Sequence, residues 1–173
     1  KALVDKLMKH KALIIQFIRD GSASDLNKLL TNNLPPIAGD PIIQIGTTYS
    51  EYGSPDILRK VIVTIGGCSK SLEAEGIEVI NCETEKDMLM EWKRVIQNDT
   101  PHILTGYNIN GFDFRYIYNR LNELNITTEF LVGFGNNTTR QVPYIEKTSQ
   151  SSAMGIIKSS FLDLAGILIV DMY

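Results

Sequence analysis

The 173-residue chain has only two cysteines, Cys68 and Cys82. Two are too few for a disulfide framework, and no zinc-ligand spacing surrounds them, so they read as the reduced thiols of a cytosolic or nuclear protein. No apolar run approaches the roughly 18–20 residues of a membrane-spanning helix, which excludes that class. The opening stretch KALVDKLMKHKALIIQFIRD lacks Met and a small-residue cleavage site, so it does not read as a signal peptide. Without such a signal, the Asn-x-Thr triplets at Asn98, Asn125, Asn136 and Asn137 carry little weight as glycosylation sites. Positive charge is also not in excess: 17 Lys and Arg stand against 20 Asp and Glu, a net charge of −3. That argues against broad electrostatic binding to duplex DNA but leaves a narrow groove for a single strand, where stacking does much of the binding. Low-complexity tracts and internal repeats are absent as well.

What remains is an ordinary globular composition, 43% hydrophobic and 21% charged, in a chain long enough to bury one core. The spacing of Leu3, Leu7, Ile14 and Ile18 predicts a helix over 2–19, stopped by Gly21. Ser24 is placed to cap a second helix over 25–31, which NNLPP ends. The pattern then turns to β-branched runs over 41–49, 60–67 and 77–82, separated by Gly and Pro. Thr84, with Asp87 three residues on, approximates a capping box for a helix that buries Leu89, Trp92, Val95 and Ile96. Pro101 closes it, and HILTGYN (102–108) reads as a fourth strand, which suggests a βαβ crossover. A further helix is expected from Asn110 to about Leu124, then a polar loop over 133–152. Two strands joined near Ala165 and Gly166 finish the chain. The class is α/β, a mixed sheet with antiparallel strands first. The expected organisation is a helical segment over 1–36 followed by the α/β domain over 37–173.

The chemistry concentrates in GYNINGFDFRYI, residues 106–117. Asp113 has two readings. With Asn110 as N-cap it would be the third helical residue, bonding the cap and favouring the helix dipole, worth about 0.5–2 kcal/mol. Composition and periodicity make that reading the default. Three details pull the other way. Asp113 follows a strand by a few residues, near the sheet edge where α/β sites gather. It borders the apolar stripe of Phe114, Ile117, Leu121 and Leu124 and so faces that edge. Tyr107, Asn108 and Phe112 surround it, two rings to stack on a base and an amide to bond a phosphate or sugar.

GYNINGFDFRYIYNRLNEL (106–124) closely resembles the second exonuclease motif of family B DNA polymerases. GDPIIQIGTTY (39–49) resembles the family's strand after its first exonuclease motif, and EKDMLMEWKRVIQNDTPHILTGYN (85–108) its following helix and strand. SSFLDLAGILIVDMY (159–173) is similar to the hairpin before its third motif. The likeness runs in order from about residue 37 and is nearest to delta-type enzymes and those of large DNA viruses. It implies a ribonuclease-H-like mixed sheet with flanking helices, part of a 3′→5′ proofreading domain, with 1–36 as an N-terminal helical insertion. It implies two Mg²⁺ or Mn²⁺ ions about 3.5–4 Å apart that activate water at the 3′ end of single-stranded DNA. Asp113 would be the catalytic, metal-ligating carboxylate, and Tyr107, Asn108 and Phe112 would hold the frayed DNA end. The whole protein would meet primer-template DNA, a replication clamp or other replisome proteins, and no membrane, in a nucleus or a viral replication compartment.

The family's first motif, an Asp-x-Glu pair, occurs nowhere in the chain; Glu73-Ala74-Glu75 and Glu83-Thr84-Glu85 are misplaced for it. The third motif, a Tyr and an Asp four residues on, is matched in spacing only by Tyr52 and Asp56, in a turn that Gly53 and Pro55 keep from being helical. One of four expected carboxylates is therefore present, and the expectation is a fragment with little nuclease activity of its own. Asp171, His10, His102 and Trp92 read as structural or surface residues, and the lysines of the first helix as a solvated face. Two other functions stay open: a non-catalytic module of the same fold that binds a single strand or a protein, and a nuclease acting on RNA.

Overall fold

The computed structural model describes residues 2–33, 38–69, 75–135, 139–151 and 155–173. The end of the second helix at Leu34–Pro36, Glu73 and Ala74 of the Glu73-Ala74-Glu75 triplet, Asn136 and Asn137 of the two overlapping triplets, and the start of the expected strand at Met154 lie outside them.

Two compact units are present, Lys1–Ala38 and Gly39–Tyr173. Among the described residues the first holds the helices α1 (Ala2–Met8), α2 (Lys11–Arg19) and α3 (Ala23–Asn33). The single helix expected over 2–19 is broken, with His10 at φ −103°, ψ 7°. Lys9, His10 and Lys11 are three successive polar residues, and they interrupt the apolar spacing at the break. Ser24 is likewise not a cap, because α3 already begins at Ala23.

In the second unit, β1 (Gln44–Ser50) pairs antiparallel with β2 (Ile57–Ile65) from Gln44 opposite Thr64, and β2 pairs parallel with β3 (Glu78–Cys82) from Val61 opposite Glu78. The expected antiparallel start thus holds for β1 and β2 alone. Helix α4 (Glu85–Asp99) packs over β2 and β3. Thr84 caps it as the sequence predicts: its hydroxyl accepts the Asp87 N–H at 3.2 Å and donates to the Asp87 carboxylate at 2.6 Å. Leu89, Trp92, Val95 and Ile96 are all buried. The helix ends at Thr100, in a left-handed conformation (φ 42°) just before Pro101.

Strand β4 (Ile103–Gly106) follows, but it does not pair with β3, so the expected crossover does not close within one sheet. Its partner is β7 (Leu168–Asp171), parallel, with Gly106 opposite Asp171. Between them run α5 (Phe114–Glu123), α6 (Thr127–Leu131), β5 (Tyr144–Ser151) and β6 (Gly155–Leu162). Eight residues of the expected 133–152 loop are therefore strand β5, antiparallel to β6. A polar strand gives no apolar period; its order comes from the β6 ladder and from Tyr144, whose ring stacks on Tyr118 at 3.6 Å between centroids. The final hairpin is absent too: β6 pairs with β5 and β7 with β4. One core, including Met88, Ile96, Leu121, Phe130 and Phe134, joins these elements.

Candidate active site at the end of strand β4

Asn110 does not cap a helix. The segment Ile109–Asp113 forms a single π-helical turn, entered through Asn108 in the left-handed conformation (φ 57°), and α5 continues from Phe114. Such turns add one residue to a helix and re-aim the side chains that follow, often at functional sites. Two glycines make the turn possible. A Cβ at Gly106 would collide with Ile109, and one at Gly111 would collide with the Asn108 side-chain amide. Both N–H groups of Gly111 and Phe112 reach back to the Asn108 carbonyl, at 3.1 and 2.9 Å.

Asp113 closes the π turn and precedes α5, yet its carboxylate makes no capping bond. The capping reading of this residue therefore does not describe the molecule, because the turn shifts Asp113 out of the position in which a first-turn acid meets its cap. The side chain is instead solvent-exposed and lines a cleft of about 740 Å³. Strands β1 and β4 both line this cleft, with Trp92, Ile109, Phe112 and Tyr116. Each is the end strand of its ladder among the described residues. Burial of part of its surroundings pushes the Asp113 carboxyl above its ordinary value; a bond to its own backbone opposes this, and the negative charge of Asp171 adds to it.

Phe112 is 55% exposed and stacks on Tyr116, with ring centroids 5.6 Å apart. Tyr107 is 69% exposed and meets Tyr173 edge-on at 5.7 Å. Tyr107 and Asn108 are outside the cleft lining, so the structure brings Phe112 and Asp113 to the cleft and leaves Tyr107 and Asn108 on the adjoining turn. Asp171 holds this turn: its Oδ2 accepts the Asn110 N–H at 3.0 Å and its Oδ1 accepts the Tyr173 N–H at 3.2 Å. Asp171 read as structural in the sequence, and no sequence signal joins two residues 61 apart to say that this turn is what it holds. The glycines on either side of Asn108 were the available clue to the turn itself.

Among the described residues no group of three or more His, Cys, Asp or Glu side chains is assembled to hold a metal ion. Asp113, with Asp171 engaged by two backbone donors, does not make a site for two hard cations, which require several oxygen ligands. The described residues therefore do not by themselves fit the metal pair that the motif implies. Trp92 is core, its indole N–H donating to Thr47 Oγ1 at 3.2 Å. Cys68 and Cys82 are free. No helix among the described residues is long and apolar enough to cross a membrane.

Comparison with known proteins shows the family. The model of the family B DNA polymerase exonuclease domain matches residues 27–173. The DNA polymerase of Pyramimonas orientalis virus is 38% identical over 149 residues, covering 86% of this chain and 12% of that protein. The DNA polymerase of Phaeocystis pouchetii virus is 33% identical over 181 residues, 93% of this chain and 17% of that protein. The DNA polymerase delta catalytic subunit of Drosophila melanogaster is 29% identical over 133 residues, 77% of this chain and 12% of its own length. The chain thus spans roughly an eighth to a sixth of the relatives it matches. The mixed α/β fold with flanking helices is consistent with that domain, and the chain belongs to the family B DNA polymerases through their exonuclease domain.

Proposed function

We propose that this chain forms part of the 3′→5′ proofreading site of a family B DNA polymerase, with Asp113 as its acidic catalytic residue. The observation that carries the reading is the Asp113 carboxylate: exposed, on a cleft, and not used to cap the helix it precedes. Exposed rings at Phe112 and Tyr107 offer stacking faces for unpaired bases at a 3′ end, worth about 1–3 kcal/mol per base. The Asn108 amide is held against Gly111 and can bond sugar or phosphate. Mg²⁺ or Mn²⁺ would be the cofactor, and the further acidic ligands would come from segments outside these 173 residues. The cleft between the end strands β1 and β4 leaves room for an extended segment to reach Asp113. Contacts with primer-template DNA and with a replication clamp or other replisome proteins, and work in a nucleus or viral replication compartment, belong to this proposal.

The test is nuclease activity in two settings. In a family B polymerase carrying this segment, Asp113→Ala removes 3′→5′ degradation of single-stranded DNA. The 173-residue chain alone degrades none. Degradation by the chain alone that disappears with Asp113→Ala would contradict the shared-ligand reading.

A further inference from the structure

The first N–H groups of any helical turn lack partners within the helix, and a local side chain normally supplies them. At the π turn no local side chain does so: Asn108 makes no side-chain cap bond. The acceptor comes from the other end of the domain, where Asp171 Oδ2 takes the Asn110 N–H at 3.0 Å. Asp171 is well held for this. It stands opposite Gly106 in the parallel β4–β7 ladder, and the Met172 N–H donates to the Gly106 carbonyl at 2.9 Å. Its second oxygen takes the Tyr173 N–H, and the Tyr173 ring lies against Tyr107. The end of β7 therefore grips the turn on both sides of Asn108, at Tyr107 and at Asn110.

We propose that Asp171 is a positioning residue: it caps the π turn from a remote strand and thereby sets where Asn108 and Asp113 point. The effect on catalysis rests on the proofreading reading above; the capping does not. A single carboxylate acts here as a long-range N-cap, coupling the end of β7 to the turn that carries the site.

Two readouts test this. In the 173-residue chain, hydrogen exchange at the Asn110 amide is compared in the parent, Asp171→Ala and Asp171→Asn. Loss of a cap predicts about a tenfold fall in protection with Ala. Asn keeps a carbonyl acceptor and retains most of the protection. In a polymerase carrying the segment, Asp171→Ala lowers exonuclease turnover more than it changes the KM for single-stranded DNA, and Asp171→Asn restores most of the turnover. Unchanged protection in Asp171→Ala would overturn the proposal. So would an Asp171→Asn enzyme as impaired as Asp171→Ala while its Asn110 amide stays protected, since the charge and not the acceptor would then matter. If Asp113→Ala left exonuclease activity intact, the proofreading reading would fail, while the exchange result would still decide the capping.

Discussion

Arg120 holds Glu85 in a two-point grip, Nη2 to Oε2 at 2.5 Å and Nε to Oε1 at 2.9 Å, with both side chains less than a tenth exposed. Glu85 Oε1 also accepts the Ile42 N–H at 2.8 Å, and Arg120 Nη1 donates to the Gly39 carbonyl at 2.7 Å and to Glu123. The start of α4, the end of α5 and the chain entering β1 meet at this one pair. Because α5 continues the turn that ends in Asp113, the pair fixes the angle at which the site leaves β4. Removing one partner strands a buried charge, so Arg120→Ala should cost about 3–5 kcal/mol in urea unfolding. Arg120→Lys should recover part of that, since a lysine cannot make the fork.

The same pair gives the stability a pH dependence. Burial would raise the Glu85 carboxyl, but the bonds from Arg120 and from the Ile42 N–H outweigh it and hold it below its ordinary value of 4.5. A lowered carboxylate contributes stability that is present above the unfolded value and lost as pH falls through the folded one. Thermal melts of the chain should therefore fall more steeply below about pH 4.5 than melts of Glu85→Gln, whose curve should be flatter there. Parallel curves would show that Glu85 carries no such linkage.

Asp113 has the opposite sign. Its carboxyl is raised, so ionising it opposes folding, and the fold loses that contribution as pH rises through the folded value. Asp113→Asn should melt at the same temperature as the parent or slightly above it at neutral pH. A functional carboxylate kept against stability behaves this way. A large loss of melting temperature in Asp113→Asn would mean that the carboxylate supports the fold.

Gly111 and Gly106 should differ in how they fail. A methyl at Gly111 meets the end of the Asn108 amide, which can swing away. Gly111→Ala should therefore cost little stability yet weaken binding of a single-stranded 3′ end, read by fluorescence anisotropy. A methyl at Gly106 meets Ile109, a β-branched side chain with little rotamer freedom. Gly106→Ala should destabilise the domain by about 1–3 kcal/mol.

Much of this fold was legible because its signals are local. The cap at Thr84 and the stripe of α4 need only a few neighbouring residues, and both hold in the structure. Phe114, Ile117 and Leu121 are buried on α5 for the same reason. What failed needed distant partners. The β5 strand is ordered by β6, the last strand leaves its expected hairpin to pair with β4, and the Asn110 cap is supplied by Asp171. The π turn sits between these cases: its glycines are visible, but a one-residue widening of a helix leaves no period to read. Asp113 stood out in the sequence by its neighbours, while the π turn that takes its carboxylate out of the capping position was not foreseen.

The most direct test compares exonuclease and polymerisation rates of a family B polymerase carrying this segment with those of its Asp113→Ala variant. The account predicts that exonuclease activity falls at least about 100-fold while nucleotide addition is unchanged. An exonuclease rate equal to the parent's would contradict it.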